Sequence, residues 1–138
     1  FLDFDSTKQT NTDFAYCSWN TTAVENQKWD SLRDIDPNGK PGHYSGDINI
    51  SGVGHFPMWR RSLHEKLGYF DPTFKALSDA DWWARCYHVG KSKFLWINEN
   101  LATYLWKNGS NLWHQSITSE EWERYFAKLE KYKKGLLE

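Results

Sequence analysis

The chain alternates between short apolar runs and longer polar stretches, and each apolar run predicts a structural element. Residues 13–19 (DFAYCSW) are rich in aromatic side chains and contain few breakers, which predicts a buried strand. Residues 20–46 are polar and include the strong turn signal DPNGKPG. We therefore expect a long loop or lid there, with room for a short helix near residues 23–33.

The middle of the chain predicts a strand followed by a helix. Residues 48–54 (INISGVG) alternate apolar with small side chains, a pattern typical of a strand. Residues 60–68 have helical spacing, because Leu63 and Leu67 lie four positions apart and Gly68 supplies a C-terminal stop.

The second half of the chain predicts two helices separated by two strands. Ser78 is a suitable N-cap for a helix at 79–88, with acidic residues in the first turn. The remaining elements are strands at 94–97 and 101–106, a turn at 98–100 between them, and a last helix within 118–135. Together these elements predict a single α/β domain that spans residues 1–138.

Length and charge limit the possible classes of function. A chain of 138 residues makes one domain, and a formal net charge of -1 gives no bulk electrostatic case for binding nucleic acid. Cys17 and Cys86 are too few for a disulfide scaffold or a zinc site, so we expect two free thiols. This composition favours a cytoplasmic protein, peripheral to a membrane if the full-length protein associates with one.

Aromatic content is the unusual feature of the composition. Aromatic residues make up 17% of the chain, and nine of them are Trp. Most of the nine are expected to fill a core. Because Trp also stacks on the apolar faces of sugars and anchors interfaces, their number favours a surface that faces carbohydrate.

The segment SDADWWAR, residues 78–85, carries the most informative chemistry. Asp79 and Asp81 lie two residues apart in a predicted first helical turn, so they do not share a face and need not share a role. The helix dipole favours the anionic form of a carboxylate at this position. Such a carboxylate either takes a proton from a sugar hydroxyl in a cleft or only complements and caps the helix.

Three segments in this order and spacing resemble a known family. They are GVGHFPMWRRSLHEKLGYFD at 52–71, SDADWWAR at 78–85, and residues 97–110. Residues 13–112 resemble the second, acceptor-side half of family-2 GT-A glycosyltransferases, the inverting enzymes that build capsules, O-antigens and similar glycans. The resemblance implies a partial GT-A fold, similar to nucleotide-diphospho-sugar transferases, with a mixed sheet and flanking helices.

The resemblance also implies roles for individual residues. Asp79 matches the catalytic base, which deprotonates the acceptor hydroxyl before it attacks the anomeric carbon of the donor. Asp81 matches an acidic position that supports the helix or the acceptor pocket. Trp82 and Trp83 either line the acceptor subsite or belong to the core. Because side chains at adjacent helix positions point in different directions, only one of the two is expected to face the cleft. His55 and Trp59 complete the acceptor-binding candidates.

Further matched positions are structural or depart from the family pattern. Arg85 would tie its helix to the turn around Asp71. Ser78 replaces the family's Glu. Lys107 stands where many relatives have a His, so it is either a diphosphate-facing cation or a surface lysine. His114 has the wrong spacing for a metal ligand, and we assign no metal to this chain; a complete enzyme would use a divalent ion such as Mn²⁺ or Mg²⁺.

The family's donor-binding half has no counterpart in this chain. Asp3-Phe4-Asp5 spells the family's metal motif, but too few residues separate it from the strand at 13–19 to hold the intervening helix. We therefore expect an acceptor-side lobe that is inactive alone and that meets a nucleotide-sugar only together with a missing N-terminal half.

Two other hypotheses remain open, together with an expectation about assembly. The chain is alternatively a non-catalytic, Trp-rich carbohydrate-binding or interaction module, or an unrelated aromatic α/β domain. Its expected partner is a glycan or sugar acceptor. Because a half-domain exposes a strand edge and an apolar face, we also expect a homo-oligomer.

Overall fold

The structure, a computed structural model, describes residues 11–32, 34–106 and 117–137. These ranges contain β1 (Phe14–Thr22), β2 (Pro57–Trp59), α1 (Ser62–Leu67), α2 (Ser78–His88), β3 (Phe94–Leu105) and α3 (Ser119–Lys133), with one 3-10 turn at Trp29–Ser31. A small mixed sheet with helices confirms the α/β class. Within the described residues, no helix has both the length and the apolar character that crossing a membrane requires.

The three strands form one mixed sheet in the order β2-β1-β3. β1 pairs antiparallel with β2, and Ala15 lies opposite Met58. β1 pairs parallel with β3, and the same Ala15 lies opposite Leu95. The strand predicted at 13–19 is confirmed, and it continues to Thr22.

The prediction of two strands at 94–97 and 101–106 was wrong, because β3 is continuous across both. Its register with β1 shifts at the predicted turn: Cys17 pairs with Ile97, Ser18 with Asn100 and Trp19 with Ala102. The polar residues 98 and 99 therefore bulge out of the ladder instead of reversing the chain.

The strand predicted at 48–54 was also wrong, and the strand of this region is the short β2. Asp47 begins a turn in which its backbone carbonyl accepts hydrogen bonds from the amides of Ile50 and Ser51, at 3.1 and 3.0 Å. Gly54 has a φ of 86°, which ends any extended run there. The segment crosses the sheet as an irregular loop that leads into β2.

The core lies on one face of the sheet. Alternate residues of β1, Phe14 and Tyr16, point to this face and join a buried cluster with the helices. The rest of that cluster consists of Tyr44, Val53, Leu63, Leu67, Trp82, Trp83 and Cys86. α1 and α2 thus form a layer over one face of the sheet.

α3 packs on the outer side of α2 and makes a second cluster. Its buried members are Phe74, Leu77, Ala80 and Ala84 from the α2 region, and Tyr125, Leu129 and Tyr132 from α3. The order of layers is therefore sheet, α1 with α2, then α3. In the described part of the chain, the opposite face of the sheet carries no helix.

The start of α2 is fixed by α3, not by the predicted cap. Ser78 is the first helical residue and caps nothing, because the N-cap position is Leu77, which has no side-chain hydrogen bond. Glu121 of α3 instead anchors the turn that leads into α2. Its Oε1 accepts hydrogen bonds from the amides of Lys75, Ala76 and Leu77, all between 2.8 and 2.9 Å. This carboxylate satisfies amides that the turn before α2 would leave without a partner.

Candidate functional site

The first turn of α2 places Asp79 at the protein surface. The residue is exposed, and its Oδ1 accepts a hydrogen bond from the amide of Ala80 at 2.7 Å. Surrounding protein atoms still remove part of the solvent from the carboxyl group, and this desolvation raises the pKa of Asp79 above its ordinary value. A raised pKa makes the carboxylate a stronger base.

Asp81, two residues further on, is buried, and both of its carboxylate oxygens are bound by other side chains of the protein. It has no exposed surface, its Oδ2 pairs with Arg85 Nη2 at 2.5 Å, and its Oδ1 accepts a hydrogen bond from the hydroxyl of Tyr132 at 2.7 Å. Burial, and then the hydrogen bond to Asp81, raise the pKa of Tyr132. The expected acceptor contact by Asp81 is therefore corrected: its side chain stabilises the helix interior instead.

Arg85 joins α2 to the end of α1. Its Nη1 donates to the backbone carbonyls of Leu67 and Tyr69, at 2.9 and 2.8 Å. The predicted tie to the turn around Asp71 is therefore present through the Tyr69 carbonyl, while the carboxylate of Asp71 itself pairs through Oδ2 with Lys128 at 2.5 Å. Burial opposes ionisation of Asp71, but hydrogen bonds from Lys128 and Thr73 outweigh it and lower its pKa to about 2.

Trp82 and Trp83 both lie in the core, so the alternative that places them in an acceptor subsite is corrected. Trp82 has no exposed surface and stacks on His64 with ring centroids 4.3 Å apart. Trp83 is buried and meets the edge of Tyr44 at 6.3 Å. Residues on adjacent helix positions usually diverge, but here α1 on one side and the loop near Tyr44 on the other enclose both rings.

Trp59 is half-buried, and its polar atom is used within the protein. Its indole Nε1 donates to His64 Nε2 at 2.9 Å, and His64 Nδ1 lies 3.1 Å from the carbonyl oxygen of Gly68. Because Nε2 accepts, the proton of a neutral His64 ring sits on Nδ1 and is donated to Gly68. Trp59 therefore supports α1, and its indole N–H is not free for an acceptor.

The carboxyl ends of β1 and β3 bring four aromatic side chains together. His55 stacks on Tyr104 with ring centroids 3.9 Å apart and planes at 7°. Trp19 meets His55 edge-on at 5.1 Å, and Trp106 lies tilted against Tyr104 at 6.4 Å. We call Trp19, His55, Tyr104 and Trp106 the carboxyl-edge cluster.

The carboxyl-edge cluster occupies a place where α/β proteins bind ligands. Parallel strands gather loops and functional side chains at their carboxyl ends. The side chains of His55 and Trp106 are both exposed there. Neighbouring groups still exclude part of the solvent from the His55 imidazole, and this desolvation lowers the pKa of His55. A neutral imidazole beside aromatic faces offers stacking surfaces and one hydrogen-bond donor and acceptor, which suits a sugar.

Two glycines hold Trp19 of this cluster in place. A Cβ atom added to Gly39 or to Gly54 would overlap the Trp19 indole. The backbones of the two glycines therefore flank the ring closely from separate loops. Trp19, Tyr104 and Trp106 were not among the predicted site residues, although their positions at the ends of predicted strands could have indicated them.

Several predicted residues lie outside the described part of the chain. They are Asp3, Asp5, Lys107 and His114. Among the described residues, no group of three His, Cys, Asp or Glu side chains is arranged to hold a metal ion. No protein-family model matches the chain, and neither curated proteins nor solved structures gave a significant match.

Proposed function

We propose that this chain is the acceptor-side lobe of an inverting GT-A-type glycosyltransferase, with Asp79 as its catalytic base. The observation that carries the proposal is the different environment of two carboxylates in one helical turn. Asp81 is buried and bound by Arg85 and Tyr132, whereas Asp79 is exposed and has a raised pKa. One oxygen of Asp79 accepts from the Ala80 amide, and no hydrogen bond within the described residues occupies the other oxygen, which leaves it available to an acceptor hydroxyl.

The chemistry follows from this placement. Asp79 accepts the proton of one acceptor hydroxyl as the hydroxyl oxygen forms a bond to the anomeric carbon of the donor. The bond from that carbon to the nucleoside diphosphate breaks in the same step, and the diphosphate leaves with the electron pair. A donor-binding half outside this chain would hold the donor; Lys107 is the candidate of this chain that would face the diphosphate. Any Mn²⁺ or Mg²⁺ would belong to the complete enzyme.

The carboxyl-edge cluster supplies the acceptor surface in this proposal. His55 and Tyr104 stack, so they present a flat and rigid aromatic surface at low entropic cost. Trp106 adds an exposed indole at its margin. Such a surface fits the apolar face of a pyranose ring, with His55 available to a hydroxyl.

The test is a titration of the full chain with an oligosaccharide panel, followed by titration with uridine and guanosine diphosphates with and without Mn²⁺. We expect an oligosaccharide to bind and the nucleotides not to bind. His55→Ala should weaken oligosaccharide binding by at least about tenfold. His43→Ala is the matched control, because His43 is also exposed and also meets a Trp edge, at 5.3 Å from Trp96. Absence of glycan binding, or clear metal-dependent nucleotide binding, would contradict an isolated acceptor lobe.

The role of Asp79 is tested with deoxy analogues of the oligosaccharide that binds. If one acceptor hydroxyl meets Asp79, Asp79→Asn weakens binding of the parent sugar but not of the analogue that lacks that hydroxyl. Glu120→Gln is the control, since Glu120 is an exposed acid in the first turn of α3. Equal losses for all analogues would remove Asp79 from the site.

A second candidate function, a non-catalytic carbohydrate-binding module, is favoured by one observation. The exposed aromatic surface of the carboxyl-edge cluster needs no carboxylate to bind a sugar. In that case His55→Ala abolishes glycan binding while Asp79→Asn has no effect on any analogue.

A further inference from the structure

His64 links α1 to the end of β2 through a hydrogen bond that only one protonation state of its ring can make. Its Nε2 accepts from the indole N–H of Trp59 at 2.9 Å, and its Nδ1 lies 3.1 Å from the carbonyl oxygen of Gly68. The neutral ring satisfies both contacts, because one nitrogen accepts and the other donates. The protonated ring has two donors, so its Nε2–H would point at the N–H of Trp59.

The surroundings of the His64 ring hold it in place in either protonation state. The ring lies between Trp82 and Tyr69, with centroids at 4.3 and 4.7 Å and planes inclined by only 16° and 12°. A positive charge on the imidazole is attracted to the faces of both aromatic rings. The contact from Nδ1 to Gly68 also persists, because Nδ1 carries a proton in both forms. When the ring is protonated, Trp59 is therefore the side chain that has to move.

The charged and titratable groups around His64 supply no partner for a proton on Nε2. Within the described residues, no carboxylate forms an ion pair or a hydrogen bond with this ring. The turn after α1 presents the phenol of Tyr69, and α2 presents the guanidinium of Arg85, which donates to the Tyr69 carbonyl and is paired with Asp81. Protonation thus adds a cation near Arg85 without a counter-ion. The other charged neighbours are exposed side chains of the segment itself, namely Arg60, Arg61, Glu65 and Lys66.

We propose that protonation of His64 is a pH-sensitive switch that releases the Trp59 side chain from α1. The indole N–H of Trp59 loses its acceptor, and because Trp59 is only half-buried, this N–H can donate to water instead. Trp59 is the last residue of β2, and its ring stacks on Phe14 of β1 at 5.4 Å. Release therefore loosens the joint between β2 and α1, while Leu63 and Leu67 keep α1 in the core.

The experiment is a nuclear magnetic resonance titration of the isotope-labelled full chain from about pH 8 to about pH 5, the range in which histidine ordinarily changes its charge. The readout is the scalar coupling between Trp59 Nε1 and His64 Nε2, which is transmitted only across a hydrogen bond. We expect this coupling at the alkaline end of the titration and its loss at the acid end. The Trp59 indole N–H signal should shift upfield with the same midpoint as the His64 ring signals.

Two substitutions separate the switch from a general response to acid. His64→Gln keeps an acceptor for Trp59, because the amide oxygen of Gln accepts a hydrogen bond at every pH in this range. The pH-dependent shift of the Trp59 signal should therefore disappear in this variant. His43→Gln is the matched control, since His43 is exposed and meets the edge of Trp96 at 5.3 Å. It should leave the transition at Trp59 unchanged.

The outcomes separate cleanly, and none depends on whether the chain binds glycans. A coupling that disappears as His64 becomes protonated, with a Trp59 signal that His64→Gln makes independent of pH, supports the switch. If the near-ultraviolet circular dichroism spectrum shows that His64→Gln does not fold, the coupling in the unsubstituted chain decides alone. A coupling that persists in protonated His64, or one that is absent at the alkaline end, overturns the proposal. A His64 ring that stays neutral down to about pH 5 overturns it as well.

Discussion

The two faces of the sheet differ in how far their side chains are covered, most clearly at the amino end of β1. Phe14 and Tyr16 are buried under the helices, whereas Ala15 lies on the opposite, open face in a row with Met58 and Leu95, which are 74% and 39% exposed. Alternation along one strand thus assigns one face to the core and leaves the side chains of the other face less covered. The comparison teaches that burial under the helices, and not strand pairing alone, decides which side of the three strands contributes most to stability.

The largest difference is expected from truncating one large side chain on each face. Trp82→Ala removes a fully buried indole from the covered face and should cost about 3–5 kcal/mol of unfolding free energy. Met58→Ala on the open face should cost less than about 0.5 kcal/mol of unfolding free energy, because Met58 is 74% exposed. Urea denaturation followed by circular dichroism measures both. Equal losses would mean that the open face is part of the fold.

The next difference separates the two carboxylates of α2. Asp81→Ala leaves the buried guanidinium of Arg85 without its partner and should cost about 3–5 kcal/mol. Asp79→Asn should leave unfolding free energy at pH 7 unchanged or slightly raised. Because the pKa of Asp79 is raised in the folded state, the group favours folding at pH values below its unfolded-state pKa. That stabilisation is lost as pH rises through the folded-state pKa, so none of it remains at pH 7. A marked loss of stability from Asp79→Asn would assign Asp79 to the structure.

A smaller effect is expected where a loop holds Trp19. Gly54→Ala adds a methyl group against the Trp19 ring at a φ of 86°, so both overlap and backbone strain act, at roughly 1–3 kcal/mol. Gly42→Ala isolates the strain, because Gly42 has a φ of 76° and no atom lies within 4 Å of the added Cβ. Indole fluorescence and glycan affinity should change for Gly54→Ala only. Identical behaviour of the two variants would show that Trp19 moves freely.

The smallest effect concerns the pH dependence contributed by α3. Three amide hydrogen bonds outweigh burial and lower the pKa of Glu121. Its contribution is therefore complete above the ordinary Glu pKa of about 4.3 and is lost as pH falls through the lower folded-state value. Glu121→Gln should lower the unfolding free energy by about 1–2 kcal/mol at pH 7. It should also reduce the slope of unfolding free energy against pH on the acid side. An acid limb as steep as that of the unsubstituted chain would exclude Glu121 as its source.

The elements set by local periodicity were predictable from the sequence. The strand at 13–19, the helix that contains Leu63 and Leu67, and the last helix after Thr118 all occur. Each depends on residues close in sequence, such as Gly68 with its φ of 83° at the end of α1. The continuity of β3 was not predictable, because pairing with β1 overrides the turn chemistry of residues 98–100.

The candidate site was only partly predictable, because its decisive contacts are distant in sequence. Asp79 and Asp81 both fit the first turn of a helix, and only Tyr132, 51 residues away from Asp81, decides which carboxylate is buried. The anchor of the turn before α2 likewise comes from Glu121, 44 residues beyond Leu77. Composition indicated many aromatic residues but could not assign Trp82 to the core and Trp106 to the surface.

The central functional claim is that Asp79 and the carboxyl-edge cluster serve one ligand. The most direct measurement is a nuclear magnetic resonance titration that follows the Asp79 carboxyl carbon and the His55 imidazole as the best-binding oligosaccharide is added. The account predicts that both signals shift with the same dissociation constant. A shift at His55 alone, with Asp79 unchanged at saturation, would contradict it and leave a binding module without a base.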